Sequence, residues 1–133
     1  MILNWKKCLT YEEARNHTNI IYLHEWAGKP FYWGKAHKSY FGGHMREIDG
    51  FKASGRYNSG YRHWIEGCLR HGASLYIAQV DPDAEYTIDE IENFLIANYP
   101  SEMPQKLHKS VKTLSIGHTG DVPASLLNSV LNL

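Results

Sequence analysis

Two phenols, a lysine and one late carboxylate are the side chains whose types and spacing could do chemistry in this chain. Tyr22 lies in the run Ile20 to Glu25, and Tyr32 in the run Phe31 to Lys35; both runs are short and rich in β-branched and aromatic residues. Between them stands Ala27-Gly28-Lys29-Pro30, the Gly/Pro punctuation of a hairpin turn. Alternation along a strand puts Tyr22 on a face with Ile20 and His24, and Ile21 and Leu23 on the other. If the hairpin pairs, Tyr22 and Tyr32 stand on one face, beside Gly34 and Lys35. Such a cluster suits a charged substrate; it equally suits an aromatic hairpin that packs a small core.

The carboxylate is Glu92. Thr87-Ile88-Asp89-Glu90 fits a capping box, which predicts a helix over Ile88 to Asn98 ended by Pro100. With Ile88 at zero and about 100° per residue, Ile91, Leu95, Ile96 and Tyr99 form an apolar arc, and Glu92 falls inside it at about 40°. A carboxylate in a buried stripe is costly unless paired. Three readings remain open at this level: a buried Arg–Glu or Tyr–Glu pair, a metal ligand, or a catalytic acid.

Around these residues the chain must supply a scaffold, and 133 residues suffice for one domain with a single core. Its 43% apolar and 21% charged residues are ordinary for a globular protein in water. Cys8 and Cys68 show no CxxC spacing, so reduced, buried thiols in a cytoplasmic protein are expected. The first residues lack the order of a signal peptide, and no apolar run approaches the ~18 residues of a membrane span, so no membrane partner is expected. The net charge is zero but segregated. Lys29 to His71 holds eight Lys/Arg against three acids, whereas Asp81 to Glu102 holds seven acids and no Lys or Arg. The first suits a polyanion and the second a divalent cation, or each is a solvated face.

In chain order, Thr10-Tyr11-Glu12-Glu13 predicts a short helix over Tyr11 to His17. Residues 37 to 55 read as a long Gly-rich loop carrying scattered cations. Tyr57 to His71 has helical periodicity with Ile65 and Cys68 on its apolar face, ended by Gly72. Its opposite side gathers Arg56, His63 and Arg70. Ala73 to Val80 is the strongest strand, Pro104 to Leu114 reads as a Lys-rich amphipathic helix, and Asp121-Val122-Pro123 opens an apolar helix to Leu131.

The order strand with Tyr22, strand with Tyr32-Trp33-Gly34, basic loop, helix, strand, helix with Glu92 resembles the GIY-YIG nuclease family. Ile20-Ile21-Tyr22 stands where the family has its first tripeptide, Tyr32-Trp33-Gly34 where it has its second, and Glu92-Asn93-Phe94-Leu95-Ile96 looks like its late helix. The likeness covers about residues 19 to 100 of a single domain, with 101 to 133 expected as a C-terminal helical extension. Ile20 replaces the first glycine, Trp33 replaces a small aliphatic residue, and the asparagine often found after the final proline is absent.

The resemblance implies an α+β fold with a small three-stranded, mainly antiparallel sheet flanked by helices. It also implies an endonuclease acting on DNA, with RNA open as a substrate, and a Mg²⁺ or Mn²⁺ held by Glu92. Tyr22 would be the general base, Tyr32 would bond the attacking water or the phosphate, and Arg56 or Arg46 would neutralise the scissile phosphate. Lys35, Arg62, His63 and Arg70 would hold flanking phosphates, and a homodimer would supply surface for longer sites. A binding module of the same fold that does not cut is the alternative.

Overall fold

The computed structural model describes residues 1–14, 17–36, 59–107 and 110–131, of which 59–64 and 128–131 are described in backbone only. The elements are β1 (Ile2–Cys8), α1 (Tyr11–Ala14), β2 (Ile20–Trp26), β3 (Lys29–Ala36), α2 (Ser59–Arg70), β4 (Ser74–Gln79), α3 (Ile88–Asn98), β5 (Gly117–Gly120) and α4 (Ala124–Leu131). The strands form one sheet in the order β3-β2-β4-β1-β5, antiparallel except for the parallel β1–β5 pair. The fold is therefore α+β, and the sheet is mainly antiparallel, but among the described residues it has five strands in place of the three expected, one pair of them parallel.

The two additional strands have different origins. β1 alternates in burial, with Leu3 and Trp5 turned inward and Ile2, Asn4 and Lys6 outward, as a half-buried strand should. β5 is Gly-His-Thr-Gly, with no β-branched or aromatic run; it exists because β1 offers an edge to pair with.

Strand alternation sorts the interior into two cores. On one face Leu3, Trp5, Ile21, Leu23, Trp33, Tyr76 and Ala78 meet Ile88, Ile91, Leu95 and Ile96 of α3. On the other, Ile20, Tyr22, Ala36, Leu75 and Ile77 meet Tyr11 and Ala14 of α1 and Ile65 of α2. β2 is central and covered on both faces, so every residue from Ile20 to Glu25 is buried.

Local chemistry sets the ends of these elements. Thr87 caps α3 by accepting from the Glu90 N–H (3.2 Å), while the Glu90 carboxylate accepts from the Thr87 N–H (3.1 Å). The helix near Thr10 is a single turn, Tyr11–Ala14, with Thr10 Oγ1 accepting from the Glu13 N–H at 3.3 Å. α4 starts at Ala124, one residue after Pro123. The described residues of 104–114 are not helical, which corrects the amphipathic reading of that Lys-rich segment. The chain just before it is tied to β3, through Glu102 N–H to the Pro30 carbonyl (2.9 Å) and Met103 N–H to the Phe31 carbonyl (3.1 Å). Lys112 is drawn back to Glu90 (3.1 Å). The expected C-terminal helical extension is thus helical only at Ala124–Leu131 among its described residues. No helix among the described residues is long and apolar enough to cross a membrane.

Candidate active site

The hairpin that carries both phenols is closed by Ala27 and Gly28, at φ 53° and 75°, the doubly positive geometry whose twist matches the flanking strands. Tyr22 pairs with Gly34 and His24 with Tyr32, which puts Tyr22, His24 and Tyr32 on one face. The Tyr22 and Tyr32 ring centroids are 6.3 Å apart at 49°, and the Tyr22 ring meets His24 edge-on at 5.9 Å. A Cβ built on Gly34 would fall among Tyr22 Cζ, Cε1 and Cε2, so the phenol lies directly across the glycine. Only a residue without a side chain leaves room for it. Burial pushes the His24 imidazole down to about 4, so this ring is neutral at neutral pH.

The late carboxylate sits elsewhere. Lys35 pairs with Ile21, on the opposite face from Tyr22, and its ammonium reaches α3. There Lys35 Nζ lies 2.9 Å from Glu92 Oε1 and 2.8 Å from Asp89 Oδ1. Glu92 is buried, as the helical arc required, and it is paired with a lysine, where the paired reading had named an arginine or a tyrosine. Burial alone would lower the Lys35 ammonium; hydrogen bonds to Asp89 and Glu92, together with their charges, outweigh it and raise the group above its ordinary value. Beside this triad is a cavity of about 620 Å³ lined by Lys35, Thr87, Asp89, Glu90, Ser110 and Lys112.

The structure therefore joins Tyr22 to Tyr32 and Glu92 to Lys35, with the sheet between the two pairs. What links them is β3, an outer strand on which Gly34 and Lys35 are consecutive. Arg46 and Arg56 lie outside the described residues, and so does the basic loop 37–55. Arg62 and His63 are in α2, whose backbone alone is described there, and Arg70 is its exposed last residue. Cys8 is buried and Cys68 half-buried, and both are free thiols.

Asp89, named in the sequence only as part of the capping box, is a further residue of this cluster. Its position three residues before Glu92, on adjacent turns of one helix face, was the available signal. Trp33, a departure from the resembled motif, is fully buried between sheet and α3, and its indole N–H donates to the Tyr99 carbonyl (2.8 Å) at the end of α3.

Among the described residues no group of three or more His, Cys, Asp or Glu is placed to hold a metal. Asp89 and Glu92 nevertheless converge on one cation already, the Lys35 ammonium, and offer the hard oxygen donors that Mg²⁺ takes from one or two carboxylates while keeping waters. A metal there would have to displace Lys35 or share the carboxylates with it. Compared with known proteins, the chain matches no family model, no curated protein and no solved structure.

Proposed function

We propose that this protein is a divalent-metal-dependent endonuclease that hydrolyses DNA phosphodiester bonds with GIY-YIG-type chemistry. The observation that carries the reading is the seating of Tyr22 across Gly34, with Tyr32 beside it. It supplies a physical reason for a tyrosine in the first strand and a tyrosine and glycine in the second. The Lys35–Glu92–Asp89 cluster follows on the next residue of β3, on the opposite face of the sheet.

In this mechanism Tyr22 takes the proton of the attacking water. A free phenol titrates near ~10, so a neighbouring positive charge has to favour its ionised form at neutral pH. Tyr32 orients the water or a phosphate oxygen, and Arg56 or Arg46 balances the negative charge that grows on phosphorus. Lys35, Arg62, His63 and Arg70 hold the flanking backbone, which makes binding salt-dependent. Glu92, with Asp89, would hold Mg²⁺ or Mn²⁺, whose bound charge stabilises the leaving 3′ oxygen.

A second reading, a nucleic-acid-binding module that does not cut, is favoured by one observation: the Glu92 charge is already compensated by Lys35, on the face away from the phenols. Incubation with supercoiled plasmid and Mg²⁺ or Mn²⁺ separates the two. Metal-dependent nicking that is lost in Glu92→Ala and Tyr22→Phe establishes the nuclease. Retardation of DNA in a gel without nicking establishes the module. RNA as substrate and a homodimer as the acting form are tested with the same protein, by a labelled RNA in place of plasmid and by sedimentation.

A further inference from the structure

The hairpin contains an irregularity on which the placing of Tyr32 depends. His24 pairs with Tyr32 but Glu25 pairs with Pro30, so Phe31 is an extra residue, a bulge in β3. Side chains alternate along a strand, so a slip of one residue at the bulge would carry Tyr32 to the other face, away from Tyr22. The segment after α3 is bonded to the outer edge of β3 on both sides of this point. Glu102 and Met103 N–H groups hold the Pro30 and Phe31 carbonyls. Gln105 then takes both main-chain groups of Trp33: Trp33 N–H donates to Gln105 Oε1 (2.8 Å), and Gln105 Nε2 donates to the Trp33 carbonyl (2.6 Å). A side-chain amide carries a donor and an acceptor as a peptide unit does, so Gln105 bonds to β3 as a residue of a neighbouring strand would. The Ser101 hydroxyl orients it, with one proton placed between Gln105 Oε1 (2.9 Å) and the Met103 carbonyl (2.6 Å).

We propose that Gln105 is a positioning residue, a lock on the register of β3 that keeps Tyr32 beside Tyr22 and Tyr22 seated on Gly34. Its consequence for catalysis rests on the nuclease reading; the lock itself does not. A segment that merely covered a strand edge against aggregation would leave the rings where they are when Gln105 is shortened. A lock would not.

The test is nuclear magnetic resonance on the whole chain, for the wild type, Gln105→Ala and Gln105→Glu. The Tyr22 ring across Gly34 displaces the Gly34 Hα resonances by its ring current, and the Tyr22 and Tyr32 rings lie close enough to be correlated. Gln105→Ala is expected to speed exchange of the Trp33 amide at least about tenfold, from the loss of its hydrogen bonds. It should also return the Gly34 Hα shifts toward ordinary values and weaken the ring–ring correlations. Gln105→Glu keeps the acceptor and loses the donor, and should fall between; if the alanine variant does not fold, this variant decides. Unchanged Gly34 Hα shifts and ring correlations overturn the lock, whatever happens to thermal stability. Where wild type nicks plasmid, kcat of Gln105→Ala should drop about tenfold with KM unchanged. A wild type that does not nick overturns the nuclease reading instead, while the ring measurements still decide the lock.

Discussion

Replacing Gly34 by alanine tests the packing on which the candidate site rests. The added methyl would occupy space now held by Tyr22 Cζ and both Cε atoms, and Tyr22 is only 6% exposed. Insertion of a methyl into a packed interior ordinarily costs about 1–3 kcal/mol, and here the whole ring has to leave its seat, which places the expected loss near the upper end, about 3 kcal/mol. For a chain of this length that is roughly 10 °C in Tm. The cost belongs to one contact, so a double-mutant cycle isolates it. Tyr22→Ala alone should cost about 3–5 kcal/mol through the cavity it leaves. In that background, Gly34→Ala should be neutral or stabilising by about 0.5 kcal/mol, because alanine is easier than glycine to hold in a strand. The coupling between the sites is then about 3 kcal/mol, far above the few tenths seen for independent positions. Urea denaturation followed by circular dichroism measures all four corners. A Gly34→Ala cost that is the same with and without the Tyr22 ring would refute the seating of the phenol on the glycine.

Three further outcomes are expected. Ala27 holds φ 53° in a turn that favours asparagine or glycine, so Ala27→Asn should stabilise by about 0.5–1 kcal/mol in urea denaturation, and a loss would show that the turn is not of this kind. His24 is held near pKa 4 in the fold against 6.5 for a free imidazole, so the unfolded chain binds the extra proton between those values. Its contribution is complete above pH 6.5, is lost as the pH falls toward 4, by about 3 kcal/mol in all, and is flat below; His24→Leu should remove that slope from a stability–pH curve, and an unchanged slope would exclude His24 as its source. The buried Glu25 carboxylate accepts the Ser125 N–H (2.8 Å) and hydroxyl (2.6 Å) in the first turn of α4, so Glu25→Gln should cost about 1–3 kcal/mol and selectively speed amide exchange in α4, whereas uniform exchange across the chain would show that α4 does not depend on this anchor.

Much of the site's framework is legible in local sequence because local chemistry makes it. Thr87 and Glu90 announce the start of α3, and the helical arc places Glu92 inside before any coordinates are known. Alternation assigns Tyr22 and Tyr32 to one face, but the expectation that Lys35 stands beside them fails, because one residue past Gly34 the side chain turns to the other face. What local pattern did not give is what distant chain decides. β5 has no strand signal and forms on β1, from which it is separated by most of the sequence. The Lys-rich segment near Lys112 has helical spacing, yet Lys112 is taken by Glu90 and the approach to the segment by β3. Glu25, Gln105 and Asp89 look like ordinary surface residues until Ser125, Trp33 and Lys35 are brought to them. β1 is the instructive miss: Leu3 and Trp5 alternate with Asn4 and Lys6 as the residues of a half-buried strand do.

The place of β1 in the sheet has a bearing on how the protein comes off the ribosome. Its neighbours are β4 and β5, so β1 lacks both of these pairing partners until Ser74–Gln79 has emerged, and keeps one side without its neighbour until Gly117–Gly120 follows. Throughout that interval Leu3 and Trp5, fully or almost fully buried at the end, are exposed on a nascent segment. The β2–β3 hairpin, closed by a two-residue loop, needs no such wait and is the natural first piece to assemble. A stalled chain that ends before β4 would therefore carry a formed hairpin and a loose, adhesive β1, the species on which holding chaperones would act.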